Sequence, residues 1–268
     1  MTAPAPVTAG GRNGLGLTAI VLTYNEERHL PDCLASLDWA TEVVVFDSFS
    51  TDDTIELARA ARARVAQRRF DNYAAQREAA LKESSAEWVL FVDADERVTP
   101  ELAAEIETVL ERPEPGWWIP RHNYIFGRLT RHTGWYPDYQ LRLMRRALAR
   151  YDPTHPVHEL VVLECERQPG HLAAPLVHLN YDNVAEFVAK QAEYARYDAA
   201  QLRASGKRAR ARSFILQPLR QFYRRWVKLG GWRDGWHGLR LSGLMAYSEW
   251  QKYRQLRALE RAEAKSGG

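Results

Sequence analysis

The stretch WVLFVDADERV, residues 88–98, constrains the fold of this chain more than any other. Five apolar residues run from Trp88 to Val92, and the run ends at Asp93 and Asp95. An apolar run of this length is typical of a strand in a parallel sheet that is covered on both faces. Open α/β sheets bind their ligands at the carboxyl ends of the strands, which is where these two aspartates are expected. Two carboxylates with one residue between them can hold a hard divalent cation that also binds a diphosphate. The alternative is an acidic start to the helix predicted in VTPELAAEIETVL.

Predicted strands and helices alternate through the first part of the chain. Apolar runs predict strands at residues 17–22 and 43–46 and a weaker strand in ARVAQ. Helices are predicted in EERHLPDCLASL, from about Asp52 or Asp53, and in FDNYAAQREAALKESS. This alternation predicts the α/β class, with a mostly parallel, doubly wound sheet flanked by helices. The polar loops TYNEE, DSFSTDDT and DADE all follow strands, so we expect them to gather along one edge of the sheet.

The pattern of predicted elements changes after the helix that follows the WVLFV strand. The segments WWIPRHNYIFGR, YQLRLMRR, VVLECE and PLVHLNY predict short strands, and the chain is helical from Asn183 onwards. We expect a flexible tail, an α/β domain in two halves, and a C-terminal helical extension. Their bounds are residues 1–16 for the tail, 17–182 for the domain with halves 17–112 and 113–182, and 183–268 for the extension.

Composition excludes several classes of protein. The chain is 46% hydrophobic and 26% charged with a net charge of +3, which is ordinary for a soluble protein. No apolar run approaches the roughly 18 residues of a membrane span. Cys33 and Cys165 are far apart and lack metal-site spacing, so neither a disulfide framework nor a zinc site is expected. The start, MTAPAPVTAGGRNG, is unlike a signal peptide, and we expect the protein to stay on the cytoplasmic side.

In their order, these motifs resemble those of the inverting family-2 glycosyltransferases with the GT-A fold. The resemblance consists of TYNEE after the first strand, FDSFSTDDT at the end of the second, DAD at the end of the fourth, an Arg-Leu pair in YQLRLMRR, and VHE. The order of GWYPDYQLRLMRR, VHE, a tyrosine-rich helix and GGWRDGWHGLRLSGLMAYSEWQKY is similar to the lipopolysaccharide-core β-1,4-glucosyltransferase branch. The resemblance extends from residue 17 to about residue 257. It implies a GT-A (Rossmann-like) domain whose first half holds a nucleotide sugar and whose second half holds the acceptor.

Two strand-end loops are the candidates for binding the nucleotide base. A backbone turn and an aromatic face that could hold a uracil-like base are offered by Thr23, Tyr24, Asn25 and Glu26. The alternative is a helix start that is capped by Asn25. The resemblance assigns Asp47 to the base as well. Phe49 stands where the family commonly has Gly, so this loop departs from the family pattern.

The resemblance assigns different roles to the two aspartates of the DAD motif. It implies that Asp93 contacts the ribose and that Asp95 is the ligand of a divalent cation, Mg²⁺ or Mn²⁺. Oxygen ligands and water suffice for either ion. Glu96 is interpreted as an acid at the start of the next helix.

Further donor contacts are expected from a helix and from a strand. Asn72, Gln76 and Arg77 lie on one helical face, which either points toward the nucleotide or is a solvated surface. Arg77 is the strongest candidate of the three. Strand alternation places Arg142 and Arg145 on opposite faces. Arg142 matches the family's Arg-Leu pair, and the resemblance implies that it contacts the diphosphate.

The acceptor hydroxyl needs a carboxylate that takes its proton. Two candidates remain: Glu159, which the VHE match favours, and Asp138, which is otherwise a turn residue. His158 either orients Glu159 or is a packed histidine. The aromatic rings of Trp135 and Tyr136 either line a sugar site or belong to the core.

The C-terminal helices carry a second pattern. Eleven Lys or Arg residues against one acid, Asp234, lie between Arg203 and Arg240, with aromatic residues interleaved. This pattern is typical of helices that lie on an anionic membrane surface, and the alternative is ordinary packing with the cations pointing outward. No nucleic-acid-binding module is recognisable, so nucleic acid is not an expected partner.

The resemblance therefore implies a metal-dependent inverting glycosyltransferase. The expected donor is UDP-glucose, and the expected acceptor is a lipid-linked saccharide such as a lipopolysaccharide core heptose, at the inner face of the cytoplasmic membrane. A glycosyltransferase acting on polyprenyl phosphate or another cell-envelope acceptor, and a non-catalytic nucleotide-sugar-binding protein, are the alternatives.

Overall fold

The computed structural model describes residues 16–151 and 161–266 of the chain. Among these residues the strands are β1 (Leu17–Thr23), β2 (Glu42–Asp47), β3 (Arg64–Gln67), β4 (Trp88–Asp93), β5 (Glu96–Val98), β6 (Gly116–Ile125), β7 (Arg128–Leu129), β8 (Tyr139–Arg145), β9 (Ala149–Tyr151), β10 (Val161–Leu163), β11 (Gly170–His171) and β12 (Leu176–Tyr181). The α-helices are α1 (Leu30–Ala35), α2 (Thr54–Ala60), α3 (Tyr73–Glu83), α4 (Pro100–Val109), α5 (Val184–Ala204), α6 (Ser213–Tyr223) and α7 (Gly235–Ser266). Short 3₁₀ turns lie at Arg146–Leu148 and Gly231–Asp234, and a π-helical turn lies at Arg224–Lys228.

The described residues form two compact units that do not follow chain order. Of the described residues, the first unit takes 16–121, 139–151 and 161–178, and the second takes 122–138 and 179–266.

A mixed, mostly parallel sheet forms the first unit. Its strand order is β3-β2-β1-β4-β8-β6, in which the first four strands are parallel and β8 and β6 are antiparallel to their neighbours. A short antiparallel pair of β12 and β5 lies in the same unit. This arrangement confirms the predicted fold class.

The parallel strands are covered on both faces. Leu17, Ala19 and Val21 of β1 belong to one buried cluster, together with residues of α1 and α4. Ile20, one position out of phase, belongs to the opposite cluster with residues of α3. A strand that buries both faces needs apolar residues at every position, which is why these strands read as continuous apolar runs.

Helix starts follow the capping chemistry in the sequence. Pro31 lies in the first turn of α1, where its missing N–H costs no hydrogen bond. The Asn72 side chain caps α3 by accepting from Ala75 N at 2.9 Å. Thr99 caps α4 by accepting from Leu102 N at 3.1 Å.

The second unit is mainly helical. Ile125, Tyr181, Phe187 and Leu241 form one buried cluster, and a second cluster forms around Leu256. No helix of the described residues is long and apolar enough to cross a membrane.

Candidate active site

Asp47 organises the sheet edge where β1 and β2 end. The parallel register places Thr23 directly beside Asp47. Asp47 is fully buried, and its carboxylate accepts from Thr23 Oγ1 at 3.0 Å and from Gln67 Nε2 at 3.0 Å. It also accepts from Ser50, through the backbone N–H at 2.9 Å and through the hydroxyl. Asp47 therefore holds the loop after β2 against both neighbouring strands, and its role in base binding stays a prediction.

The loops after β1 and β2 are joined by a row of hydrogen bonds. Asn25 donates from its backbone to Ser50 Oγ at 2.8 Å, and its side-chain oxygen accepts from Thr51 N at 2.8 Å. The remaining bonds run from Glu26 N to Thr54 Oγ1 (2.8 Å), from Glu27 N to Asp52 Oδ2 (3.1 Å) and from Asp53 N to Glu27 Oε2 (3.2 Å). The helix α1 begins after His29, so Asn25 does not cap it, and that alternative is wrong. The TYNEE and DSFSTDDT motifs are thus joined by hydrogen bonds into one platform.

Two aromatic rings project from this platform. Tyr24 is 60% exposed and Phe49 is 48% exposed. Phe49 has a φ of +65°, which lies in the left-handed region that residues with a Cβ disfavour. The Arg69 guanidinium carbon lies 5.9 Å from the centre of the Phe49 ring. The family's usual Gly would adopt this backbone without strain, so the departure seen in the sequence has a conformational cost here.

Asp93 lies between two arginines at the end of β4. Arg77 Nη2 is 2.9 Å from Asp93 Oδ1, and Arg142 pairs with Asp93 Oδ2. Both guanidinium groups are nearly fully buried, whereas the Asp93 side chain is 31% exposed. Burial opposes ionisation of Asp93, but the charges of Arg142, Arg77 and Arg121 outweigh it and hold its pKa well below its usual range. The structure therefore brings together three residues that the sequence singled out from different elements.

Glu96 belongs to the same cluster, which corrects its interpretation as an acid at the start of a helix. It begins β5, and its side chain is completely buried. It accepts from Asp93 N at 2.9 Å and pairs with Arg121 at 3.3 Å and Arg142 at 3.4 Å. The physical reason is that Glu96 pairs with His178 in the antiparallel β5–β12 ladder, which places it inside the unit.

The cluster is rich in arginine. The guanidinium groups of Arg77, Arg121 and Arg142 contact the carboxylates of Asp93 and Glu96. Guanidinium groups are well suited to binding the oxygens of a diphosphate.

Asp95 has a partner that the sequence did not reveal. Asp95 Oδ2 lies 3.3 Å from His178 Nε2, with side-chain exposures of 23% and 9%. Carboxylate and imidazole are both ordinary ligands for divalent transition ions such as Mn²⁺. Among residues 16–151 and 161–266, no group of three or more His, Cys, Asp or Glu side chains is placed to hold a metal. His178 is 83 residues after Asp95, and a single histidine in PLVHLNY carries no spacing signal.

The three polar residues predicted on one face of α3 have different contacts in the structure. The Asn72 side-chain oxygen is used as the cap of α3, and Gln76 donates to Ser48 Oγ at 3.0 Å. Arg77, the strongest candidate of this face, is the residue that reaches Asp93. The roles of Asn72 and Arg77 in binding the nucleotide sugar stay predictions.

Asp138 lies in the second unit and has a defined environment there. Asn123 is fully buried and donates from Nδ2 to Asp138 Oδ2 at 3.1 Å and to Trp135 O at 2.9 Å. Trp135 packs against the core of this unit, whereas Tyr136 is 40% exposed. The other candidate base, Glu159, and His158 lie outside the described residues.

Comparison with known proteins assigns the family. The model of glycosyl transferase family 2 matches residues 18–158. The lipopolysaccharide core biosynthesis glycosyltransferase LpsC of Rhizobium meliloti (strain 1021) is 32% identical over 241 residues, which cover 84% of this chain and 85% of that protein. An uncharacterized glycosyltransferase of Rickettsia typhi is 35% identical over 94 residues, covering 35% of this chain and 32% of that protein. This chain is a member of the family-2 glycosyltransferases, nucleotide-sugar-dependent enzymes.

A solved structure supports the fold alone. Glucosyl-3-phosphoglycerate synthase from Mycobacterium tuberculosis, in complex with phosphoglyceric acid, aligns with a TM-score of 0.50 at 17% identity. The alignment covers 71% of this chain and 80% of that one.

Proposed function

We propose that this enzyme transfers glucose from UDP-glucose, with inversion, to a lipid-linked saccharide such as a lipopolysaccharide core heptose. The similarity to a lipopolysaccharide core glycosyltransferase over most of both chains supports this class of acceptor. The observation that carries the catalytic part is the Asp95–His178 pair, which adjoins in sequence the arginine-rich Asp93 cluster at the end of β4. A site of this kind suits a reaction whose leaving group is a diphosphate.

Different parts of the nucleotide sugar bind at successive positions along the sheet edge. Thr23, Tyr24, Asn25, Glu26 and Asp47 form the platform for the uracil base, and Asn72 lies at the start of α3 behind it. Asp93 accepts hydrogen bonds from the ribose hydroxyls while Arg77 and Arg142 keep it ionised and oriented. The arginines of the cluster, chiefly Arg142, stabilise the diphosphate.

Asp95 and His178 hold a divalent cation, Mg²⁺ or Mn²⁺, against the diphosphate. When bound, such an ion compensates the charge that develops on the leaving group. Mn²⁺ binding, measured by the relaxation of water protons with UDP present, should be lost in Asp95→Asn and weakened in His178→Ala. Binding and turnover that survive Asp95→Asn and a chelator would contradict the metal assignment.

The acceptor hydroxyl loses its proton to a carboxylate of the acceptor half. We assign this role to Glu159, with Asp138 as the alternative. Glu159→Gln should abolish transfer while the affinity for UDP, measured by calorimetry, remains close to that of the wild type. Loss of turnover in Asp138→Asn with activity retained in Glu159→Gln would move the role to Asp138.

The donor and acceptor are tested together by product analysis. Purified enzyme is offered a panel of nucleotide sugars with a heptose-containing core acceptor or a polyprenyl phosphate, and the linkage of the product is determined. Transfer of glucose to the core acceptor is the expected result. Transfer to polyprenyl phosphate would show a different cell-envelope enzyme, and donor binding without turnover on any acceptor would show a binding protein.

We place the enzyme at the inner face of the cytoplasmic membrane, as a peripheral protein. The basic and aromatic C-terminal helices support this location, because an anionic surface attracts such helices.

A further inference from the structure

Helix α6 exposes a row of large apolar side chains. We call the row made by Ile215, Leu216, Leu219, Tyr223 and Val227 the α6 ridge. Each of these residues is between 46% and 64% exposed. Steps of four residues from Ile215 to Val227 keep one face of a helix in register, and the π-helical turn at Arg224–Lys228 extends that face.

The opposite face of α6 is fixed within the second unit. The ring of Phe214 lies 6.5 Å from that of Tyr253, and the Arg257 guanidinium carbon lies 5.0 Å from the Phe214 ring centre. Just before α6, Ala209 is buried and its N–H donates to Glu260 at 2.9 Å. The ridge is therefore a preformed surface on an anchored helix.

A basic cleft adjoins the ridge. This cleft, of about 660 Å³, is lined by Lys207, Arg208, Arg210 and Arg212, and by Leu216, which it shares with the ridge. Within the described part of the chain, these four cations are exposed and form no ion pair. A cleft lined by four such cations favours an anionic ligand.

Positive charge also runs along the ridge itself. Arg220, Arg224 and Lys228 are exposed, are spaced four residues apart and lie directly after Leu219, Tyr223 and Val227 in sequence. Residues 203–233 contain ten Lys or Arg and no acid. Exposed aliphatic side chains beside charge of a single sign suit a surface that is both anionic and able to take up apolar groups. A nucleic acid offers the charge but has no place for Ile215 or Leu219.

We propose that the basic cleft and the α6 ridge form one docking surface for a phosphate-rich lipid bilayer. The cleft takes lipid phosphates, and the ridge inserts its apolar side chains at the level of the headgroups. This docking surface names the residues that would hold the enzyme at the membrane location proposed above. It rests on the proposed function only in its purpose, which is to bring the enzyme to its lipid-linked acceptor.

Two variants separate the two parts of this surface. Each basic residue near an anionic bilayer strengthens binding about fivefold at moderate salt, so R208Q/R210Q/R212Q should weaken binding roughly 100-fold. Loss of apolar insertion in I215S/L219S should weaken binding on the order of 100-fold as well. The first loss should shrink as salt is raised, because charge is screened, whereas the second should persist.

The assay is co-sedimentation of the full chain with lipid vesicles. One set of vesicles is phosphatidylcholine alone, and the other contains about one-third phosphatidylglycerol, so that the anionic charge of the lipid dominates binding. The matched control is R59Q/R196Q/R261Q, which removes the same charge from exposed positions elsewhere and should bind within about threefold of the wild type. Inorganic phosphate at matched ionic strength should displace the protein no better than chloride; specific displacement would show a site for free phosphate and overturn the proposal.

Other outcomes are equally decisive. Equal binding by both variants and the wild type, or no binding by the wild type, would overturn the docking surface. A wild-type dimer that I215S/L219S converts to a monomer, with no vesicle binding, would assign the ridge to a second copy of this chain.

Turnover on a water-soluble saccharide acceptor separates this proposal from the proposed function. Both variants should keep the wild-type kcat there and show a raised KM only for acceptor embedded in vesicles. Absence of turnover in the wild type would refute the transferase assignment while leaving the vesicle result to decide the docking surface.

Discussion

Replacement of Glu96 tests whether the charge cluster at the end of β4 holds the first unit together. Glu96→Ala removes a completely buried carboxylate that pairs with Arg121 and Arg142 and accepts from Asp93 N. The two arginines are only 17% and 8% exposed, so water cannot replace the lost charge. The variant therefore removes one buried ion-pair partner from each of the two arginines.

The size of the effect follows from this burial. Breaking one side of a buried ion pair costs about 3–5 kcal/mol, and an unsatisfied buried N–H adds to that cost. Arg142 keeps its pair with Asp93, which favours the lower end, so we expect about 3 kcal/mol for Glu96→Ala. Glu96→Gln keeps an oxygen for Asp93 N and should cost about half as much. For a protein of this size, about 3 kcal/mol corresponds to a fall in Tm of roughly 6–12 °C.

The chain offers a matched control just before β4. Glu87 pairs with Arg145, but its side chain is 64% exposed, so Glu87→Ala should cost at most about 1 kcal/mol. The free energy of unfolding is measured by urea titration with tryptophan fluorescence, and hydrogen exchange of the β1 and β4 amides assigns the loss to the first unit. A Glu96→Ala cost equal to that of Glu87→Ala would refute the reasoning, because it would mean that the cluster is effectively solvated.

Two further predictions concern the second unit. A Cβ on Gly238 would lie 1.9 Å from the Gly231 carbonyl oxygen, so Gly238→Ala should destabilise by several kcal/mol, whereas Gly243→Ala in the same helix meets no atom within 4 Å and should stabilise by about 1 kcal/mol. Thermal denaturation of the pair checks this, and equal shifts would contradict it. Burial and then the charge of Arg128 lower the pKa of His237, so the unfolded chain takes up a proton first as the pH falls. The stability that the neutral His237 contributes is therefore present above about pH 6.5 and is lost below it. His237→Gln should flatten the fall in Tm between about pH 7.5 and 5.5, and an unchanged slope would contradict the assignment.

Much of the fold could be predicted from the sequence because its signals lie in short, local patterns of apolar and polar residues. Continuous apolar runs such as WVLFV predict strands that are buried on both faces, and the polar residues that end them predict where the sheet edge lies. Thr23, Asp47 and Asp93 meet at that edge because parallel strands in register bring their carboxyl ends together. The caps of α3 and α4, Asn72 and Thr99, were not predicted and were seen only in the structure.

The partners of the site residues could not be predicted from the sequence. Glu96 looks like any acid in a polar loop, and only the β5–β12 ladder buries it beside Arg121 and Arg142. His178 is 83 residues after Asp95 and carries no motif, yet the fold places them 3.3 Å apart. The sequence of this chain determined where the parallel strands β1 to β4 form and which carboxylates end β2 and β4, since these depend on neighbouring residues along the chain. Only the tertiary structure decided which charges compensate one another, since an ion pair depends on a distance in space between residues that the sequence keeps far apart.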